Sequence, residues 1–203
     1  MFNKPKGCIT ACSDARHKTV MDYIPKNERD GLFPVGRLDK DTEGFLILTD
    51  DGKFGFRVSD PKSLIEKTYF FFAKGTIDAE KIKRLEEGVR IYNGLDMITA
   101  PAKVKKVCEA KLRDIAHLTD EDEVKLRLTK RGDLSVTGVM ITITEGKKHQ
   151  VKRMALAVGL RIVYLERVGI SGVFLDKTLP RGEFRPLTED EISKIKENIK
   201  ALD

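Results

Sequence analysis

Short apolar runs broken by turn residues dominate this chain, and most of them read as strands. Phe45 to Thr49 (FLILT) is almost wholly apolar and predicts a buried strand ahead of the turn Asp50-Asp51-Gly52. Glu66 to Lys74 (EKTYFFFAK) is short and aromatic, as a strand would be. Val89 to Tyr92, Ala102 to Ala110, Val139 to Thr144 (VMITIT) and Arg161 to Val168 continue the series. Phe2 to Thr10 reads as two short strands around the KPKG turn. Between 111 and 138 the pattern is least legible, but Glu123 to Thr129 (EVKLRLT) alternates like a strand with one wet face, ahead of a turn at Arg131-Gly132-Asp133.

Helical spacing is confined to a few places. Thr19 to Ile24 is a short helical piece in the otherwise polar stretch 13–34. Lys53 to Ser59 predicts a brief helix stopped by Asp60-Pro61. Asp78 caps a helix running to about Glu87, with Ile82 and Leu85 inward and Gly88 as its stop. Lys147 to Val158 places Val151, Met154, Ala155 and Val158 on one face, and Gly159 closes it. Thr188 with Glu191 forms a capping-box pattern opening a C-terminal helix. Strands that outnumber helices, without regular alternation, predict an α+β fold with a largely antiparallel sheet.

Composition narrows the partners. At 203 residues, 40% hydrophobic and 34% charged, the chain can bury a core. The net charge of +6 suits an anionic partner such as nucleic acid. Cys8, Cys12 and Cys108 are odd in number, and C-x3-C is not a zinc-ribbon pair, which points to a reducing compartment. His17, His117 and His149 are scattered, so no metal is expected. No apolar run is long enough to span a membrane and the N-terminus lacks a signal-peptide core, so a cytoplasmic protein is expected; the oligomeric state is not legible in the sequence, and a monomer is the default.

Three constellations could carry chemistry. Gly36-Arg37-Leu38-Asp39-Lys40-Asp41-Thr42 precedes the buried strand. A solvated loop would explain it, but a loop anchored by a buried strand is also a good mount for a reactive carboxylate. Gly146 to Arg153 (GKKHQVKR) places Lys147, Lys148, Lys152 and Arg153 at a helix start. That is either a solvated basic face or a phosphate site, where free N–H groups add to the charge. Tyr69 in EKTY is either a core tyrosine or a flat ring on which a base can stack.

Taken in order, GRLDKDTEGFLILTDDG, EKTY and ITITEGKKHQVKRM resemble the signature blocks of the RsuA-type rRNA pseudouridine synthases. FNKPKG near the start and VYLERVGISGVFLDKTLPRGEFRPLTEDEI near the end resemble that family's outer blocks, so the likeness spans nearly the whole chain. The resemblance implies the pseudouridine synthase catalytic fold over 1–203, with a smaller subdomain over about 66–145 and a cleft between two subdomains. FNKPKG begins at residue 2, so the S4 RNA-binding domain that usually precedes it in the family is expected to be absent. The stretch 111–138 reads as longer than the family's equivalent.

The resemblance also implies roles. Asp39 is the catalytic carboxylate, Tyr69 packs against the target base, and Lys152 pairs with Asp39. Arg37 opens the RNA helix or holds the flipped nucleotide, and Leu165 lies by the active site. Leu38, Thr42, Lys147, Lys148, His149, Gln150 and Arg153 complete the expected RNA-binding set. No cofactor is required, because the reaction is an isomerisation. Asp39 could attack C1′, add to C6 or take a proton from C2′, and the sequence leaves these open. The expected substrate is one uridine of small-subunit (16S) ribosomal RNA. The alternatives are a large-subunit (23S) target or a non-catalytic RNA-binding assembly factor. A glycoside hydrolase using Asp39 and Asp41 is disfavoured, because carboxylates two residues apart in one loop are poorly placed to flank a bond.

Overall fold

The computed structural model describes residues 1–92, 94–118 and 134–200, and among these described residues lie ten strands and four α-helices. The strands are β1 (Phe2–Lys4), β2 (Phe33–Val35), β3 (Glu43–Thr49), β4 (Lys67–Lys74), β5 (Arg90–Tyr92), β6 (Asp96–Ile98), β7 (Lys103–Lys111), β8 (Ser135–Ile143), β9 (Arg161–Ile170) and β10 (Val173–Phe174). The helices are α1 (Gly52–Ser59), α2 (Ala79–Glu87), α3 (Gln150–Ala157) and α4 (Glu189–Lys200). The fold is α+β as expected: β1 and β2 pair antiparallel with β3, β10 with β9, β6 with β5 and β8 with β7, while β3 and β9 run parallel. The sequence strand at 123–129 and the turn at 131–133 lie outside the described residues.

The chain divides into two units, one built from residues 1–68 and 166–203, the other from 69–165. In the first unit β3 is central. β1 and β2 both pair with it antiparallel, through Phe2↔Leu46 and Val35↔Ile47, and the second half of β9 runs parallel to its start at Gly44↔Arg167. That contact requires glycine at 44: its φ is +97°, and a Cβ there would strike the carbonyl of Arg167. Phe45, Ile47, Val58, Ile65, Ile170, Ile195 and Ile199 form the core, so β3, α1, β9 and α4 share one apolar interior. Arg185 ties α4 down with ion pairs to Asp176 (2.9 Å) and Glu191 (2.8 Å). The Asp176 carboxyl is held at about 2, first by hydrogen bonds from Thr178 and then by Arg185.

In the second unit β4, β8 and β7 lie side by side in that order. Phe72, Leu112, Ile115, Val136 and Tyr164 form its buried cluster. Gly138 lets β8 approach: a Cβ there would lie 2.5 Å from Cys108 Sγ. β5 and β6 form a separate two-stranded hairpin.

Some local readings change. β8 starts at Ser135, not Val139, and α3 starts at Gln150, not Lys147. The second strand expected before Thr10 is only a bridge from Ile9 to Thr19. β2 and β6 were not expected; β2 carries Pro34, which lacks an N–H and reads as a strand breaker.

Candidate functional site

The loop Gly36 to Thr42 is fastened to the first unit through hydrogen bonds to its own backbone. Gly36 has φ +69°, a left-handed turn that favours glycine. Leu38 is buried and exchanges two hydrogen bonds with Thr10, whose hydroxyl accepts from the Leu38 N–H (3.1 Å) and donates to its carbonyl (2.8 Å). Gly7 N–H donates to the Lys40 carbonyl (2.8 Å), and Thr42 N–H donates to the Asp39 carbonyl (3.1 Å). Asp39 is thus held between two buried neighbours, Leu38 and Thr42, and is itself half-buried.

Beneath this loop lies a residue to which the sequence assigned no role. Lys4 is fully buried, and its ammonium donates to the carbonyls of Thr42 (2.9 Å), Pro5 (3.1 Å) and Lys40 (3.4 Å). Burial lowers its pKa, and the Cys8 thiol and the carboxylates of Asp41, Glu43 and Asp39 oppose that shift. A buried ammonium is costly unless it is hydrogen-bonded and has anions nearby, and Lys4 has both. Nothing local in KPKG distinguishes this lysine from the exposed one of an ordinary turn.

Other charges line the same unit. Glu43 is buried and pairs with Arg181 (2.7 Å). Arg167 is buried and donates through Nε to the Phe45 carbonyl (2.8 Å). Lys67 is pushed down to about 8, by burial first and by Arg167 second. Arg37, Lys40 and Asp41 are exposed. Thr42, expected to touch RNA, is buried, and its hydroxyl has no hydrogen-bond partner among the described residues.

In the second unit the basic loop is organised by Glu145. Its carboxylate accepts from Ala100 N–H (2.9 Å) and from the Gln150 side-chain amide, and pairs with Lys147 (2.7 Å). Gln150, expected to touch RNA, is buried, and its side-chain carbonyl accepts from Lys147 N–H (2.8 Å), so this side chain braces the loop. Lys147 has its charge matched by Glu145, leaving it less suited to a phosphate than its sequence position suggests. His149 takes φ +53°, an uncommon conformation for a residue with a side chain, and is exposed beside exposed Lys148. Val151, Met154 and Ala155 face inward, which leaves Lys152 and Arg153 half-buried at the helix border. Tyr69 and Leu165 are buried.

Among the described residues no group of His, Cys, Asp and Glu could hold a metal ion. Among those residues, too, no helix is long and apolar enough to cross a membrane.

Comparison with known proteins gives one answer. Residues 1–157 match the family model described as RNA pseudouridylate synthase. The chain is 42% identical over 97% of its length to an uncharacterised RNA pseudouridine synthase, YtzG, of Bacillus subtilis, covering 72% of that protein. It is 34% identical over 96% of its length to ribosomal small subunit pseudouridine synthase A of Escherichia coli, again covering 72% of the relative. A crystal structure of a pseudouridylate synthase superposes with a TM-score of 0.75 at 34% identity, over 96% of this chain and 71% of that one.

Proposed function

This chain belongs to the RNA pseudouridylate synthase family, and from that premise we propose that it converts one uridine of small-subunit ribosomal RNA to pseudouridine, with Asp39 as its catalytic group. The enzyme is an isomerase. The N1–C1′ bond of uridine breaks, the uracil turns, and a C5–C1′ bond forms; C5 loses a proton and N1 gains one. No atom is added and none is oxidised.

The small-subunit target is carried by the likeness to ribosomal small subunit pseudouridine synthase A, which spans 96% of the chain. The Asp39 assignment is supported by the way its loop is anchored from below. A stacked base cannot offer both C1′ and C5 to a side chain, so the nucleotide must leave its stack at a cost of a few kcal/mol. Lys148, His149 and Arg153, with Arg37, offset that cost by holding phosphates. Tyr69 replaces the lost stacking, and Leu165 adds apolar contact. Asp39 acts as an ionised carboxylate, and Lys152 is the cation that keeps it ionised once RNA excludes water. With ribosomal RNA as its substrate, the proposed enzyme works in the cytoplasm on the assembling subunit, as a monomer.

The test is tritium release from in vitro small-subunit rRNA transcripts labelled at uridine C5. Wild type should release one equivalent per RNA. Asp39→Asn should release none while still binding the transcript. Release from large-subunit transcripts alone would overturn the target, and turnover by Asp39→Asn would overturn the role of Asp39.

A further inference from the structure

The β5–β6 hairpin is built as a presented surface. Its strands pair through Arg90↔Ile98, Ile91↔Met97 and Tyr92↔Asp96, so Ile91 and Met97 share one face and Arg90, Tyr92, Asp96 and Ile98 the other. Ile91 is buried. The opposite face exposes Tyr92 at 71% and Ile98 at 65%, and the turn exposes Leu95 at 72%. Isolated exposed apolar residues are ordinary, but three grouped on one short hairpin need a reason.

The hairpin base is fixed. Val89 N–H donates to the Thr99 hydroxyl (3.0 Å) and Thr99 N–H donates to the Val89 carbonyl (3.0 Å). Gly88, at φ +95°, lies so close to the Thr99 carbonyl that a Cβ would collide with it. The base also joins the basic loop: Ala100 N–H donates to Glu145, and Lys147 Nζ reaches the Ile98 carbonyl at 3.4 Å. The face with exposed Tyr92 and Ile98 therefore adjoins a phosphate-binding candidate, the loop with Lys148 and His149. The hairpin's own charges, Arg90 and Asp96, are paired with each other at 2.9 Å. Such a face suits bases more than phosphates, while the neighbouring loop suits phosphates. Flat and apolar side chains beside cations are how sequence-tolerant single-strand binding is built.

We propose that the outward face and the turn of the β5–β6 hairpin, through Tyr92 and Ile98 on the face and Leu95 in the turn, dock unpaired bases of the substrate RNA outside the target nucleotide. This rests on the RNA-modifying reading above, and adds a second set of contacts that no sequence block marks. The tyrosine ring stacks on one base, and the two aliphatic side chains cover its neighbour.

Binding of an in vitro small-subunit rRNA transcript tests this without requiring turnover. Tyr92→Ala should weaken binding about tenfold, Tyr92→Phe should bind as wild type, and adding Leu95→Ser and Ile98→Ser should weaken it further. The slope of log affinity against log salt should stay unchanged in all of them, since no charge is removed, whereas Lys148→Ala should lower it by about one. Wild type crosslinked to 4-thiouridine-substituted transcript should give adducts on the peptide carrying Tyr92. Unaltered affinity in the triple variant, or wild-type crosslinks confined to other peptides, would overturn the proposal. If wild type binds the transcript yet forms no pseudouridine, the enzymatic reading fails and the binding series still decides the hairpin.

Discussion

The two loops that carry the candidate chemistry are held in opposite ways. Gly36 to Thr42 is fixed by main-chain bonds and by one fully buried ammonium from Lys4, with Asp39 between two buried residues. Gly146 to Arg153 is fixed by side chains, Glu145 and Gln150, and leaves Lys148 and His149 exposed. The first arrangement suits a group that must not move during bond exchange, because a misplaced nucleophile or base forfeits much of its advantage. The second suits an RNA grip that adapts to its partner. Reaction and recognition are thereby assigned different kinds of scaffold.

The largest effect expected concerns the reacting loop. Asp39→Asn should lower kcat by on the order of 10⁴ or more, with RNA affinity within a few-fold, as single-turnover assays and filter binding would show. Lys152→Met should cost on the order of 10²-fold in kcat, and Lys152→Arg should recover most of it, if Lys152 has the proposed role of keeping the carboxylate ionised. Equal activity in the Met variant would break the proposed pairing. Lys4→Met strips the loop carbonyls of their donor and should destabilise the chain by about 2 kcal/mol in urea unfolding. An unchanged midpoint would show that the backbone bonds suffice.

Smaller effects sharpen the contrast. Glu145→Ala should weaken RNA binding only about threefold to tenfold, because freeing Lys147 offsets the loosened loop. Lys67 gives a pH signature. Its folded pKa, about 8, lies below the ordinary 10.5, so the unfolded chain binds more protons between those values. Stability should therefore rise with pH across that window, and the charged ammonium is a cost at neutral pH. Acylation followed by mass spectrometry should find Lys67 reacting with a midpoint near pH 8. A midpoint above 10 would contradict the burial beside Arg167.

Much of this was legible along the chain, for physical reasons. β4 and α2 were readable because FFFA and the Asp78 cap with Ile82 and Leu85 are local signals. The left-out pieces depend on partners far away. β3 begins at Glu43, a charged residue that looks like loop until its ion pair with Arg181 is seen. Gly138 looks like a strand end, yet it is the point where β8 makes room for Cys108 and Phe72. Lys4 reads as solvated because its neighbours are Pro5 and Lys6, and its burial depends on a loop 36 residues on. Gln150 reads as polar surface beside four bases, and its burial and bracing of the loop show only once Glu145 and Lys147 are folded against it.

Carbodiimide mapping of ribosomal RNA from cells lacking this protein, complemented with either wild type or Asp39→Asn, asks whether the chain is a single-site isomerase whose chemistry rests on Asp39. One stop in small-subunit rRNA should vanish on deletion, return with wild type and stay absent with the variant. Restoration by the Asp39→Asn chain, or an unchanged small-subunit map on deletion, would contradict that reading.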